Sequence, residues 1–388
     1  MLFAVIVVLA LLILYGHIRE YRAMRALPHL PPDPTPSEHT PLISIIIPAR
    51  NEARCIARCL DGVLNQHYPN YEVIVIDDHS TDATPHILAQ YAAQYPHLRV
   101  LSGTGLPAGW TGKAWACQQA AQAARGEWLV FLDADTAAQP KLLLALLEYA
   151  HMQGRDVVSV FPFLELGSFW ERLLLPPFRA MIYATYPFQR VAAEDAHAHE
   201  VMANGQCILV RQQCYAAIDG HAAVRAAVLD DVWLARHLHD AGAHVAVVLG
   251  CAAVRVRMYT SRSEVFEGLT KNASAGFRSA GGRALLAGTG QFALALLPFW
   301  LLLATVIYVG EAGFQLSSIL ALLLGLGTVL AALVLRALIL HQLYHLVWTY
   351  ALLWSLSIIA YSGILARSAW LVASGHGVLW KGRIYAGT

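Results

Sequence analysis

Residues 284–309, 316–340 and 343–366 are three long apolar stretches, and a fourth, MLFAVIVVLALLILYG, occupies positions 1–16. A helix needs about 20 apolar residues to cross a bilayer. Of the 388 residues 57% are hydrophobic and 14% charged, where an average soluble domain carries roughly 25% charge. Part of this chain is therefore expected in lipid, with transmembrane helices over 284–366. The stretch holding Gly288, Gly290 and Pro298 is the weakest spanner of the three, because Gly and Pro are poor helix formers. The net charge of +1 gives no basis for a nucleic-acid partner. The six cysteines show no C-x-x-C spacing and read as scattered thiols, not as a disulfide framework or zinc site.

Arg19, Arg22 and Arg25 follow the first apolar stretch. A cleaved signal peptide carries its positive charge before the apolar run and a small-residue cleavage site after it. Residues 1–16 are thus expected to be a retained anchor, with the following chain in the cytoplasm. The Pro-rich segment PHLPPDPTPSEHTP, 28–41, reads as a stiff linker. One anchor and three further crossings would put the 367–388 tail outside. Its Arg367, Lys381 and Arg383 call for the inside. One apolar segment is therefore expected to be interfacial or re-entrant.

Between the ends, extended and helical patterns alternate. LISIIIP (42–48), YEVIVID (71–77), LRVLSG (98–103) and EWLVFLDAD (127–135) read as strands. Residues 51–64, 81–94 and 112–125 read as helices. Such alternation predicts an α/β domain with a mostly parallel sheet. Ligands of such sheets bind beyond the C-terminal strand ends. Three of these strands end in polar residues: Arg50-Asn51-Glu52, Asp77-Asp78 and Asp133-Ala134-Asp135. Crowded carboxylates repel one another, and a hard divalent cation relieves that repulsion. An Asp-x-Asp tripeptide alone is more often a solvated turn. At the end of a buried strand, with Asp78 ending a second, it reads as a clamp for Mg²⁺ or Mn²⁺ and a diphosphate, held by Asp133 and Asp135.

SIIIPARNEA (44–53), VIDDHSTDAT (75–84), FLDADT (131–136) and LDDVWLARHL (229–238) together resemble the family-2 inverting glycosyltransferases. That resemblance implies a GT-A Rossmann-like nucleotide-sugar domain over 42–275. GWTGK (109–113), RMY (257–259), GLTKN (268–272) and WKGRIY (380–385) are similar to membrane-bound carotenoid and hopanoid-associated members, including the chlorobactene and diaponeurosporenoate types. By the resemblance, Pro48, Ala49, Glu52 and Asp78 hold the donor nucleoside, and Asp133 and Asp135 the metal. Asn204-Gly205-Gln206 lies on the acceptor side. Asp231, second acid of the Asp230-Asp231 pair, is the catalytic base. Asp230 stands where the family usually has Glu, which leaves open which carboxylate faces the acceptor. Lys113, Arg257 and Lys271 are candidate cations for the leaving diphosphate. Ser80, Thr81, Asp82 and Thr84 read as caps. The 17 histidines read as structural or surface residues; His237 and His239, two apart, cannot face one another on a helix.

Residues 161–190 are rich in Phe, Trp, Tyr and Leu and carry a Pro-Pro break, which suits an interfacial amphipathic segment. The partners expected are a nucleotide-sugar donor, UDP-glucose by resemblance, a lipid acceptor and a membrane of bacterial inner type. The Q-x-x-R-W motif of processive synthases does not occur where GFRSAGGR stands, which favours transfer of one sugar. A carotenoid or other terpenoid acceptor comes first. Ceramide, diacylglycerol or polyprenyl phosphate is the alternative. A non-catalytic scaffold or polysaccharide exporter would have no need of the intact acids.

Overall fold

The computed structural model describes residues 2–35, 39–250, 252–280, 282–374, 376, 378–380 and 383–385. Cys251, and Lys381 and Gly382 of the WKGRIY segment, lie outside the described residues. The strands are β1 (Ile43–Ala49), β2 (Tyr71–Asp77), β3 (Leu98–Ser102), β4 (Trp128–Leu132), β5 (Thr136–Ala138), β6 (Val157–Phe161), β7 (Phe163–Leu164), β8 (Cys207–Arg211), β9 (Val245–Leu249) and β10 (Val254–Val256). The first helices are α1 (Leu2–Arg25), α2 (Ile56–Val63), α3 (Thr84–Gln94), α4 (Gly112–Ala123), α5 (Leu142–Met152), α6 (Phe169–Thr185) and α7 (Phe188–Val191). The later ones are α8 (Gln212–Ala217), α9 (Asp230–Asp240), α10 (Arg262–Ala280), α11 (Gly282–Ala312), α12 (Leu316–Tyr344) and α13 (Trp354–Ala373). Two compact units result: a sheet unit (Pro28–Glu165 and Tyr186–Met258) and a helical unit (Met1–Leu27, Leu166–Thr185 and Tyr259–Thr388).

In the sheet unit the strand order is β3-β2-β1-β4-β8-β6-β9. Every strand runs parallel to the others except β8, which is antiparallel to both β4 and β6. Every residue of β4, β6 and β9 is buried. Strands buried on both faces show continuous apolar runs instead of alternation, which is why WLVFL reads as it does. One core cluster joins Ile43, Ile45 and Ile47 of β1 to Ile56, Leu60 and Val63 of α2 and Leu142, Leu143 and Leu146 of α5. A second sheet, β5-β10-β7, begins after the three-residue turn that follows β4. A Cβ on Gly62 of α2 would stand 2.6 Å from the Ala138 carbonyl oxygen. Only a glycine lets α2 approach the β5 backbone so closely, and that contact fixes the turn Asp133–Asp135 between β4 and β5.

Ser44 and Glu72, paired across β1 and β2, lock the N-terminal edge of the sheet. The Ser44 hydroxyl donates to Glu72 at 2.8 Å and accepts from the Gly126 N–H at 2.8 Å. The Arg125 guanidinium donates to the same carboxylate at 2.8 Å.

In the helical unit α1, α11 and α12 are each long and apolar enough to cross a membrane. The stretch with Gly288, Gly290 and Pro298 was expected to be the weakest spanner. It forms the 31-residue α11 with Pro298 inside it. The broken stretch is 343–366. There α12 ends at Tyr344, His345 takes a left-handed conformation (φ 53°), and a short turn at Trp348–Ala351 precedes α13. The expected Pro-Pro break is also absent: α6 runs through Pro176 and Pro177. Leu173 to Pro177 are all buried, so α6 is a largely covered helix. Packing against α10, α11 and α13 offsets the backbone bonds the prolines remove.

One ion pair is buried among these helices. Arg336 of α12 donates to both Glu20 oxygens of α1, at 3.0 and 2.6 Å, and Gln291 of α11 donates to the same carboxylate at 3.1 Å. The Arg336 guanidinium lies 3.9 Å over the Trp354 ring. Breaking such a pair from one side leaves a buried charge uncompensated.

Candidate active site

Strand register gathers the acids. Ala49 pairs with Asp77 across β1 and β2, and β4 runs parallel beside β1, so the chain leaves all three strands at one edge of the sheet. Antiparallel β8 begins there too: Leu132 pairs with Cys207, and the Asp133 N–H donates to the Gln206 carbonyl at 3.2 Å. Asn204-Gly205-Gln206 is thereby set beside the Asp-x-Asp turn. Asn51 and His79 hold left-handed backbone (φ 53° and 56°) where the chain leaves β1 and β2.

The two exit loops are stitched together. Asn51 N–H donates to the Ser80 hydroxyl at 2.9 Å, Glu52 N–H to the Thr84 hydroxyl at 2.9 Å, and Ala53 N–H to Asp82 at 3.1 Å. The Thr81 N–H donates to the Asn51 side chain at 2.7 Å. Ser80, Thr81, Asp82 and Thr84 therefore tie the β1 exit to the β2 exit, where the sequence reading made them caps; residue Ala83 stands at the N-cap of α3. Buried Asp78 lies next to Arg50, whose guanidinium donates to the Asp78 carbonyl at 2.8 Å. Glu52, Asp133 and Asp135 share a neighbourhood with two thiols. Burial first, then Glu52 and Asp135, push the Cys55 thiol far up. Burial, together with Asp135, Asp133 and Glu52, raises Cys59 to about 12.

A second cluster forms where α4 and α9 begin. Lys113 is the second residue of α4, and its ammonium lies 2.7 Å from Asp133 Oδ1. A cation at a helix N-terminus opposes the helix dipole, so the carboxylate partner compensates it. Burial works against this charge, but Asp133, with Asp230 and Asp231, holds the Lys113 pKa well above its ordinary value. Asp231 opens α9 beside Asp230. Its Oδ2 accepts the Gly205 N–H at 2.7 Å and its Oδ1 the Val232 N–H at 2.9 Å. A Cβ on Gly205 would lie 3.1 Å from both Asp231 Oδ2 and Lys113 Nζ. Glycine is what lets the chain pass between acid and ammonium. Burial and the charge of Asp230 raise the Asp231 carboxyl to about 6, against the opposing pull of Lys113 and the two N–H donors.

A recess of about 10 Å³ joins Pro48, Lys113, Asp133, Gly205, Asp230 and Asp231. The arrangement is a chain of alternating charge, Asp133 to Lys113 to the α9 acids, on the edge where the β1 and β2 loops meet. Residues 44–212 match Glycosyl transferase family 2. This segment is a family-2 glycosyltransferase domain. The chain is 32% identical over 203 residues to a beta-monoglucosyldiacylglycerol synthase from Nostoc, covering 51% of this chain and 41% of that protein. It is 26% identical over 245 residues to a 4,4'-diaponeurosporenoate glycosyltransferase from Staphylococcus haemolyticus, covering 62% of this chain and 64% of the relative. The chain thus spans less than two thirds of the length of either. A mannosyltransferase from Pyrobaculum calidifontis, solved with GDP-Man and Mn2+, superposes with a TM-score of 0.53 at 18% identity, covering 95% of this chain and 99% of that one. The fold is the mixed α/β, Rossmann-like GT-A fold.

Within the family-2 domain and the segment that follows it, the candidate cations part company. Lys113 lies among the acids. Arg257 follows β10, where it and Arg255 act on Glu165, with Arg58 foremost in holding that carboxyl below its usual range. Lys271 belongs to α10 of the helical unit. Sequence reading passed over His221, which lines the recess. Its Nδ1 is 2.7 Å from the Tyr215 hydroxyl and its ring 4.8 Å from that of Phe131. Burial and Lys113 hold it neutral, down at about 4, against the pull of Asp230. A lone histidine after Asp219-Gly220 carries no pattern that would have announced it.

Among the described residues no group of three or more His, Cys, Asp or Glu side chains is arranged to hold a metal. The donor set still fits a hard cation. Asp133 and Asp135 offer carboxylate oxygens, and Mg²⁺ is usually held by one or two carboxylates with substrate phosphates completing its shell. Lys113 already engages Asp133, so ammonium and cation would share that carboxylate.

Proposed function

We propose that this protein is a membrane-bound inverting glycosyltransferase that moves one sugar from a nucleotide-sugar to a hydroxyl of a lipid. The observation that carries the reading is Asp231: a half-buried carboxylate beside buried Asp230, its pKa raised, oriented by two N–H donors, one ammonium away from the Asp-x-Asp turn. Pro48, Ala49, Glu52 and Asp78 hold the nucleoside at the β1 and β2 exits. Asp133 and Asp135 bind a divalent cation, Mg²⁺ or Mn²⁺, which when bound neutralises charge on the diphosphate. Lys113 adds a fixed positive charge for the leaving group. Asp231 accepts the proton of the attacking hydroxyl, and Asp230 keeps the Asp231 carboxyl basic through its charge. Asn204, Gly205 and Gln206 border the acceptor. Arg257 and Lys271 are the other candidate cations for the diphosphate.

A carotenoid or other terpenoid acceptor follows from the likeness to the diaponeurosporenoate enzyme. Diacylglycerol is the second reading, favoured by the higher identity with the Nostoc synthase. The purified full chain, given a panel of lipids and nucleotide-sugars, should yield one glycolipid carrying a single added hexose by mass spectrometry. Neither a glycolipid nor slow donor hydrolysis with any pair would sink the enzymatic reading.

Three crossings would also remove the charge conflict of the tail. With α1, α11 and α12 crossing, the sheet unit and the chain after α12 share the cytoplasmic side, as Arg19, Arg22, Arg25 and Arg367 require. A reporter fused after residue 388 should report the cytoplasm; a periplasmic signal would restore a fourth crossing.

A further inference from the structure

The helical unit contains a cleft of about 110 Å³, walled by Pro177 and Met181 of α6, Gly288 and Gln291 of α11, and Ile358 and Tyr361 of α13. Its walls are mostly apolar. The hydroxyls of Thr289 and Ser362, also in the wall, each donate to a carbonyl of their own helix at 2.8 Å. Gln291 differs. It is 7% exposed, and its amide nitrogen donates to Glu20. Both Glu20 oxygens accept from Arg336, and one also from Gln291, so the amide nitrogen faces the carboxylate and the carbonyl oxygen turns away. That oxygen is buried and accepts no hydrogen bond from any described residue. Arg336 Nε and Trp354 Nε1 also lack partners, but neither residue lines the cleft.

A buried acceptor without a donor in an apolar wall asks for a particular occupant. We infer that this cleft holds part of the acceptor lipid and that Gln291 recognises a neutral hydroxyl on it. The inference rests on the reading of the protein as a lipid glycosyltransferase and narrows its substrate class. A long-chain alcohol supplies an apolar body and one O–H donor. An ether or ester supplies no donor. A carboxylate supplies none either, and adds a second negative charge near Glu20. The cleft is too small for a whole lipid and fits a stretch of one.

Gly288 makes the site testable. A Cβ there would meet only Met181 Cε, at 3.8 Å, an ordinary contact. A larger side chain would therefore grow into the cleft without displacing backbone.

The experiment uses the full chain in micelles with hexadecanol carrying a diazirine, and maps the photolabel by peptide mass spectrometry. Labelling is expected on α6, α11 or α13. Unlabelled hexadecanol should compete, and its methyl ether and palmitate should not. Gly288→Leu should remove the label and raise KM for the lipid acceptor by about tenfold, while KM for the nucleotide-sugar and slow donor hydrolysis stay unchanged. Gln291→Leu should keep the label and let the ether compete as well as the alcohol. Equal competition by alcohol and ether in the wild type would overturn the role of Gln291. Loss of label in Gly288→Leu with unchanged acceptor KM would mark a resident-lipid site and overturn the acceptor assignment. Failure to label while donor hydrolysis persists would overturn the cleft and leave the catalytic reading standing.

Discussion

Asp231→Asn should lower the rate of sugar transfer to an alcohol by about 10²–10⁴-fold, the usual worth of a positioned general base, while donor binding is retained. Asn keeps the size of the side chain and removes the proton acceptor. Asp230→Asn should be milder, because Asp230 acts on Asp231 through charge; the reverse ranking would transfer the role of base to Asp230. The pH profile supplies an independent readout. Burial and Asp230 raise the Asp231 carboxyl to about 6. The base is thus ionised at neutral pH and takes up its proton as pH falls through about 6, so the wild-type rate should fall on that acid limb. Lys113 pulls the same pKa down. Lys113→Met should therefore move the acid limb to higher pH, on top of any loss in rate. A limb that stays put would separate Lys113 from Asp231. One outcome has a chemical reading of its own. An acceptor that is a carboxylic acid is already ionised and needs little help from a base. A mild Asp231→Asn defect with an alkali-labile product would make this an ester-forming enzyme.

Chelation has the other large effect. EDTA should bring transfer to background, and Mn²⁺ or Mg²⁺ should restore it. Asp135→Asn should weaken metal-dependent donor binding, followed by calorimetry with and without the cation. Full activity in EDTA would remove the metal from the mechanism and leave Lys113, already 2.7 Å from Asp133, as the cation that meets the diphosphate.

What the sequence disclosed, it disclosed locally. Buried strands announce themselves by apolar runs, so β1, β2 and β4 and the acids at their ends could be read from ISIIIPA, YEVIVID and WLVFL. Pairings between distant residues left no such trace. Nothing in CILVR tells that β8 runs antiparallel, yet that direction is what sets Gly205 against Asp231. The 2.7 Å contact of Lys113 with Asp133 joins a helix start to a strand end 20 residues on, through the fold and not through a motif. Hydropathy could not choose among the C-terminal stretches either. Helix propensity weighs Pro298 as a defect, whereas the break falls at His345, where a left-handed residue ends α12. Nor did the Pro-Pro pair mark a break, since a helix covered on several sides tolerates lost backbone bonds that a lone helix would not.

The buried pair between Glu20 and Arg336 bears on how the chain is made. Its partners stand 316 residues apart. At ribosomal rates of about 5–20 residues per second, roughly 16–60 s separate their synthesis. During that interval the Glu20 carboxylate waits for the Arg336 guanidinium with which it pairs in the finished fold. The contact that covers this carboxylate is thus among the last that the helical unit can form. Glu20→Leu would let the first helix settle sooner, and would strand Arg336 at the end.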